Sequence, residues 1–254
     1  MGLHDYTSDA TRPGLVDSPH ESRRSGLRVG RLACGLHTDW DHFDPATVIA
    51  GSDYDLVVLR YPSSQVAVAE QLQVPGLRSW IADTLLYFSV EVAAVATPDP
   101  GTRLTQVDAL DAAFDALLDV TFEGYQNHYA SNSHLQAISV SEAYVDWVRN
   151  QVAGGTGGCY GYWAADDALA GLGVLEAISE GANEWTLGGV HPGHRGHGAY
   201  AQIIRHLARV TAEQGRTELV TSTQTSNLPS MRAWCREGFL PTLSLNTIHV
   251  MPER

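Results

Sequence analysis

Between residues 190 and 200 the chain reads Val190-His-Pro-Gly-His-Arg-Gly-His-Gly-Ala-Tyr200. A short apolar run, Glu184 to Val190, precedes this stretch, and a helical pattern from Ala199 to Gln214 follows it. A glycine-bearing turn that opens a helix leaves several backbone N–H groups unpaired, and the positive end of the helix dipole lies at the same spot. Such a turn suits phosphate oxygens. Gly196 and Gly198 carry no Cβ to hold a polyanion away, and Arg195 offers a charge-assisted bond. The loop lacks the GK[ST] ending of a mononucleotide loop. It also lacks the G-x-G-x-x-G of a dinucleotide fold, and its strand comes late in the chain. The plain alternative is a tight turn whose glycines serve packing alone.

Proton carriers form a second set. Glu184 begins the strand that leads into the loop, His128 lies in Gly124-Tyr-Gln-Asn-His-Tyr129, and His249 lies in the last apolar run. An imidazole, with its ordinary pKa of about 6.5, suits general base work near neutrality. At each position a packed or surface side chain is the plainer alternative. His191, His194 and His197 gather around the loop, but no metal site is assigned to them. The three cysteines, Cys34, Cys159 and Cys235, show no CxxC or Cys/His ligand spacing and read as buried thiols. No Ser-His-Asp or Cys-His signature supports a covalent nucleophile.

The elements that must position these groups can be read from periodicity. Asp55 to Arg60 and Thr84 to Val92 read as strands, and Ser63 to Leu72 as a short helix opened by a serine. Thr97-Pro-Asp-Pro-Gly101 reads as a linker. Beyond it, Leu110, Phe114, Leu117 and Leu118 make one face of a helix over Val107 to Thr121, and a second helix spans Ser141 to Gln151. Gly154 to Gly158 is a glycine-rich turn. Then come a hairpin (Gly158 to Trp163, Ala168 to Ile178), the strand and helix flanking the loop, a strand from Glu218 to Thr223, a helix from Leu228 to Glu237 and a last strand from Leu245 to Met251. The expected architecture is mixed α/β (α+β), with a flexible leader over residues 1–26, an N-terminal lobe over 27–100 and a second domain over 101–254.

Composition narrows the partners. The 254 residues are 44% hydrophobic and 18% charged, as in an ordinary globular protein. A net charge of −13 argues against nucleic acid or an anionic membrane, both of which reward clustered cations, and favours a cationic substrate. No apolar run approaches the roughly 20 residues of a membrane span, and no signal peptide is evident, so the expected location is cytoplasmic. All 16 basic residues are arginine, the mark of a GC-rich, bacterial genome.

Arg195-Gly-His-Gly-Ala-Tyr200 resembles the acyl-CoA signature R/Q-x-x-G-x-G/A of the GNAT N-acetyltransferases. Asn227-Leu-Pro-Ser-Met-Arg-Ala-Trp-Cys-Arg-Glu-Gly-Phe239 resembles the family's N-x-x-[AS]-x-x-x-Y-x-x-x-G-F, at the expected order and spacing. The resemblance covers about Val107 to Met251. It implies a GNAT fold, a mixed and mostly antiparallel sheet flanked by helices. It also implies acetyl-CoA as co-substrate, held by Arg195, Gly196, His197, Gly198, Ala199 and Tyr200 at its pyrophosphate. Gly189 and Val190 would lie beside its pantetheine arm, with Asn227 and Trp234 contributing from the last helix. Glu184 matches the base of the histone-acetylating branch, and His128 and His249 lie in segments that face the acceptor in this family. A backbone N–H near Val190 is the implied oxyanion donor.

Two positions depart from the pattern. Tyr200 replaces the usual small residue. Trp234 replaces the tyrosine that protonates the departing thiolate, and an indole has no useful acidity. Leu59-Arg-Tyr-Pro62, Ala82 to Phe88 and the aromatics Tyr125, Tyr129 and Trp147 more loosely resemble bacterial dTDP-amino-sugar N-acetyltransferases, in which a smaller degenerate GNAT-like lobe precedes the catalytic one. The implied acceptor is a small-molecule amine, a nucleotide-linked amino sugar, and a homodimer is compatible with the family. The competing readings are an acetyltransferase for an antibiotic, amino acid or polyamine, and a non-catalytic CoA-binding module.

Overall fold

The computed structural model describes residues 2–125, 127–136, 138–154 and 158–253. The fold is mixed α/β, with mostly antiparallel sheet flanked by helices, and the chain divides into two compact units. One contains residues 1–86, 126–138 and 243–254; the other contains 87–125 and 139–242.

The first unit opens with α1 (His4–Thr7), β1 (Leu15–Asp17) and α2 (Pro19–Ser25). The leader expected to be flexible is therefore built into this unit, with Tyr6 fully buried and Glu21 at 2% exposure. Then follow β2 (Val29–Ala33), α3 (Pro45–Ala50), β3 (Leu56–Pro62), α4 (Val68–Gln71) and the long β4 (Leu77–Glu91). The carboxylate of Asp44 caps α3 by accepting from the Ala46 N–H at 2.9 Å, and Pro45 sits at the first helical position. β2 and β3 are parallel, and β3 pairs antiparallel with the chain's last strand, in register Leu245↔Pro62 to Val250↔Val57. Leu32, Ile49, Val57, Leu59, Tyr61, Ile248 and Val250 fill this unit's core.

The second unit begins within β4 and continues through β5 (Arg103–Gln106), α5 (Ala112–Thr121), α6 (Val140–Gly154), β6 (Gly158–Trp163), β7 (Leu169–Ala177) and β8 (Ala182–Val190). It closes with α7 (Ala199–Glu213), β9 (Glu218–Gln224) and α8 (Leu228–Arg236), and β10 (Leu240–Pro252) returns the chain to the first unit. β5, β6, β7 and β8 form an antiparallel run, and β8 pairs parallel with β9. α5 starts five residues later than its apolar period suggests, because Asp111 accepts from the Phe114 N–H at 2.8 Å and so fixes the helix start. Phe114, Leu117 and Leu118 pack with Val145, Val148, Leu172 and Val174.

The unit boundary lies at Leu86/Tyr87, within β4, not at the Pro98–Gly101 loop. Turn chemistry marks where a chain bends, not where contacts cease to cross. Residues 155–157 of the expected glycine-rich turn lie outside the described residues.

Candidate active site

β8 and β9 pair only from Ala182↔Glu218 to Trp185↔Thr221. Past that point β8 keeps β7 as its neighbour on one side, through Gly171↔Val190, and its edge toward β9 is open from Thr186 to Val190. The register of β7 and β8 shifts at Thr186, which has no partner residue. Such a bulge re-aims the strand where pairing ends.

The open edge runs into the loop. Gly198, at φ +83°, is the N-cap of α7, and Gly196 has φ +81°; both take the left-handed conformation that a Cβ disfavours. The N–H groups of Gly196, His197, Gly198, Ala199, Tyr200 and Ala201 donate to no group among the described residues. Gln202 N–H is the first in α7 to find a carbonyl, that of Gly198, at 3.1 Å. Six adjacent free donors at the positive end of a 15-residue helix fit a pyrophosphate.

Arg195 is used differently from the expectation of a phosphate contact alone. Its Nε donates to the Val190 carbonyl at 3.1 Å and one terminal nitrogen donates to the Thr121 carbonyl, in the last turn of α5, at 2.9 Å. The guanidinium thus ties the loop, the end of β8 and the negative end of α5 together, with other N–H donors to spare. Gly189 belongs to the same junction: a Cβ there would come within 2.3 Å of Thr121 Cγ2.

Aromatic side chains line the fork between β8 and β9. Trp185 donates its indole N–H to the Leu187 carbonyl at 2.7 Å, and its ring lies so close to Gly188 that a Cβ there would sit 2.4 Å from it. Its ring centroid is 5.2 Å from Tyr200 and 6.3 Å from Trp234. Burial pushes the Tyr200 phenol up to about 12, with Ser230 and Trp234 pulling the other way. The Trp234 contact falls short of a hydrogen bond, since the buried indole nitrogen of Trp234 has no partner at bonding distance among the described residues. Asn227 caps α8 by accepting from the Ser230 N–H at 3.4 Å, and its amide donates to Thr223 Oγ1 at 3.0 Å. Tyr125 hydrogen-bonds Gln224 at the end of β9, and its ring lies 5.6 Å from that of Tyr144, which in turn lies 6.3 Å from Trp147.

The three base candidates separate. Glu184 lies on β8 in the second unit, 3% exposed, opposite Glu176 of β7 and Val220 of β9. His128 and His249 belong to the first unit, where His128 Nδ1 and His249 Nε2 are 2.9 Å apart. Both are buried, and burial lowers the pKa of each, that of His249 to about 4. Sequence spacing of 121 residues gave no hint of this pairing. The roles of Trp185, Thr121 and Arg195 in the fork were equally hidden, because each depends on which backbone atoms a remote segment presents.

Residues 118–239 match the acetyltransferase (GNAT) family model, a span that contains the loop, the fork, Glu184 and α8. This stretch is a GNAT acetyltransferase domain. No curated protein matches the chain by sequence. Among solved structures it is similar to a tandem GNAT protein from the clavulanic acid biosynthesis pathway (13% identity, 89% of this chain and 75% of that one, TM-score 0.59). It is also similar to a GCN5-related N-acetyltransferase from Sphaerobacter thermophilus (14%, 95% and 76%, TM-score 0.61) and to one from Kribbella flavida (13%, 100% and 92%, TM-score 0.56). At such identities the likeness speaks to fold, and the domain match speaks to activity. The GNAT domain makes the protein an acyl-CoA-dependent acetyltransferase, with acetyl-CoA as co-substrate. Among the described residues no helix is long and apolar enough to cross a membrane, and no cluster of His, Cys, Asp or Glu could hold a metal ion.

Proposed function

We propose that the protein transfers an acetyl group from acetyl-CoA directly to the primary amine of a small molecule, and that this amine is carried by a nucleotide-linked sugar. The observation that carries the transferase reading is the run of six N–H groups, Gly196 to Ala201, that find no acceptor among the described residues at the head of α7 within the GNAT domain. Acetyl-CoA supplies the acyl group already activated as a thioester. The backbone of Gly196 to Tyr200 would hold its pyrophosphate, while Gly189 and Val190, on the open edge of β8, would lie along its arm with Asn227 and Trp234 across from them. A backbone N–H of that edge, at Val190, would hold the developing oxyanion, since preorganised donors stabilise charge as it forms.

An amine attacks only when neutral, so a base must accept its proton, directly or through water. Glu184 is the base we assign, because it lies on the strand that leads into the open edge. His128 and His249 are the other candidates, but their buried ring nitrogens face one another and Asn132. Trp234 can donate a hydrogen bond to a bound group but cannot serve as the acid. The part-exposed rings of Tyr125, Tyr144 and Trp147 favour an acceptor with flat rings to stack. The net charge of −13 favours the second reading, a free cationic amine such as a polyamine or aminoglycoside.

Free-thiol release from acetyl-CoA, followed against dTDP-amino-sugars, aminoglycosides, polyamines and amino acids, tests both. Release dependent on the nucleotide sugars supports the proposal; release confined to the cationic amines replaces the acceptor. Calorimetric binding of acetyl-CoA without release on any acceptor would favour a non-catalytic module.

A further inference from the structure

The first unit buries a polar cluster that the transferase chemistry leaves unused. Its parts come from widely separated places in the chain: Glu21 on α2, Arg31 on β2, Arg60 on β3, Trp80 on β4, Thr247 and His249 on β10, and His128, Tyr129 and Asn132 from residues 127–136. Glu21 accepts from Ser18 Oγ at 2.6 Å, from Arg31 at 2.9 and 2.8 Å through both forks, and from the Tyr129 hydroxyl at 2.9 Å. Arg60 donates to Thr247 Oγ1 at 2.9 Å and also faces the Tyr6 phenol of α1. The Trp80 ring lies edge-on to that of His249, with centroids 6.0 Å apart, and its indole N–H donates to the Ser131 carbonyl at 3.1 Å.

The hydrogen bonds fix the direction of every proton in the centre. The side-chain oxygen of Asn132 accepts from the His134 N–H at 2.9 Å, so the amide nitrogen is the group that faces His249 Nδ1, at 3.3 Å. An amide NH2 only donates, so His249 Nδ1 carries no proton and Nε2 does. That proton is directed at His128 Nδ1, 2.9 Å away, which must then be bare. The remaining proton of His128 sits on Nε2, 3.8 Å from Glu21 Oε1. One sense of donation runs from Asn132 through His249 to His128, whose Nε2–H then faces the Glu21 carboxylate at a distance longer than a hydrogen bond.

We propose that residues 127–136 are a strap latched onto the first unit by this one-directional chain, Asn132 to His249 to His128 to Glu21, which closes only while both imidazoles are neutral. A proton added to His249 Nδ1 meets the donating amide of Asn132, and a proton added to His128 Nδ1 meets the donating Nε2–H of His249. Either addition sets two donors against each other and opens the latch. Burial and the Arg60 charge both disfavour such a proton, and only Glu21 favours it; Arg31 opposes it at His128. The neutral, latched form is therefore the state at pH 7, and acid is the trigger.

Nitrogen-15 spectra of the two imidazoles in the full chain, together with hydrogen exchange of the 127–136 segment from pH 7 to pH 4, test the latch. Both rings are expected as the Nε2–H tautomer, and strap amides should lose at least tenfold of their protection as the pH falls toward 4. Strands β7 and β8 should keep theirs over the same range. In His249→Gln, an amide that cannot titrate, the acid-dependent step should shrink to the part that His128 alone contributes. An Nδ1–H tautomer at either ring, or a strap equally protected at both ends of the pH range in the parent protein, overturns the proposal. The ring spectra decide it even if the variant does not fold.

Discussion

Arg195→Ala separates two roles for a residue that the loop signature alone would treat as a phosphate contact. In the structure its guanidinium donates to two backbone carbonyls, Val190 at 3.1 Å and Thr121 at 2.9 Å. Buried hydrogen bonds with one charged partner contribute about 1.5–3 kcal/mol each. Arg195 is exposed, so solvent competes and about 1 kcal/mol per bond is the fitting scale. Removing both, including the one at the negative end of α5, should cost about 1–2 kcal/mol of stability. For a chain of this length that lowers Tm by roughly 2–8 °C. The same loss frees the loop from α5, so acetyl-CoA affinity should fall about tenfold. Arg195→Lys retains the charge but not the fork, and should recover less than half of either loss. Thermal melts and calorimetry on the three proteins measure both quantities. If Arg195→Ala keeps its Tm while CoA binding collapses, and lysine restores it, the residue is a phosphate contact and the strut argument is wrong.

Other perturbations follow from the same geometry. Glu184→Gln should leave acetyl-CoA affinity within twofold and lower the transfer rate by about 10²–10³; an unchanged rate across pH would remove Glu184 as base. Gly189→Val, whose Cβ would meet Thr121 Cγ2, should cost about 1–3 kcal/mol through overpacking and weaken CoA binding, both visible by calorimetry. Acid should destabilise the first unit in two stages. His249, lowered from 6.5 to about 4 by burial, binds fewer protons folded than unfolded between those values. Stability from it is therefore complete above about 6.5 and declines by about 3 kcal/mol as the pH falls to 4. Glu21 is held at about 2, because the Arg31 charge and hydrogen bonds outweigh the opposing effect of burial. Its contribution is present above about 4.5 and is lost as the pH falls to 2, so a denaturation series over pH should show both slopes. Native thiol titration should find one reactive cysteine, Cys235, because Cys34 and Cys159 are buried with thiols pushed up to about 12.

The sequence carried the second unit better than the first. Between Gly158 and Gly238 the elements are consecutive in the chain and adjacent in space, so periodicity and glycine punctuation mark them correctly, from the hairpin through α8. The first unit is assembled from three separate stretches. Residues 126–138 fall after a helix of the other unit, and nothing local in Asn127-His-Tyr129 says that their partners are Glu21 and His249. The leader reads as frayed for the same reason: a polar stretch with Pro13 and Pro19 gives no local sign that Arg31, on the next strand, pairs with Glu21. The loop was legible because the phosphate recognition we propose there would rest on backbone N–H groups and on φ angles that only glycine adopts readily, and both leave a mark in sequence. Side-chain assemblies across the fork leave none.

Trp234 shows how a departure from a motif can still be constrained by physics. A tyrosine at this position would offer a titrating proton; the indole offers a donor that never titrates. Its nitrogen is buried at 2% residue exposure with no partner among the described residues, a cost of about 1–3 kcal/mol that a packed interior seldom tolerates without compensation. Phe88 at 5.3 Å and Trp185 at 6.3 Å offer no acceptor oxygen, and the Tyr200 hydroxyl beside it falls short of a hydrogen bond. A bound group presenting a lone pair in the fork would satisfy that donor, so part of the coenzyme's affinity should come from it. Trp234→Phe keeps the ring packing and removes only the N–H. It should therefore be at least as stable as the parent without ligand, and bind CoA several-fold more weakly. A variant that is destabilised without ligand and binds CoA as tightly as the parent would show that the indole serves packing alone.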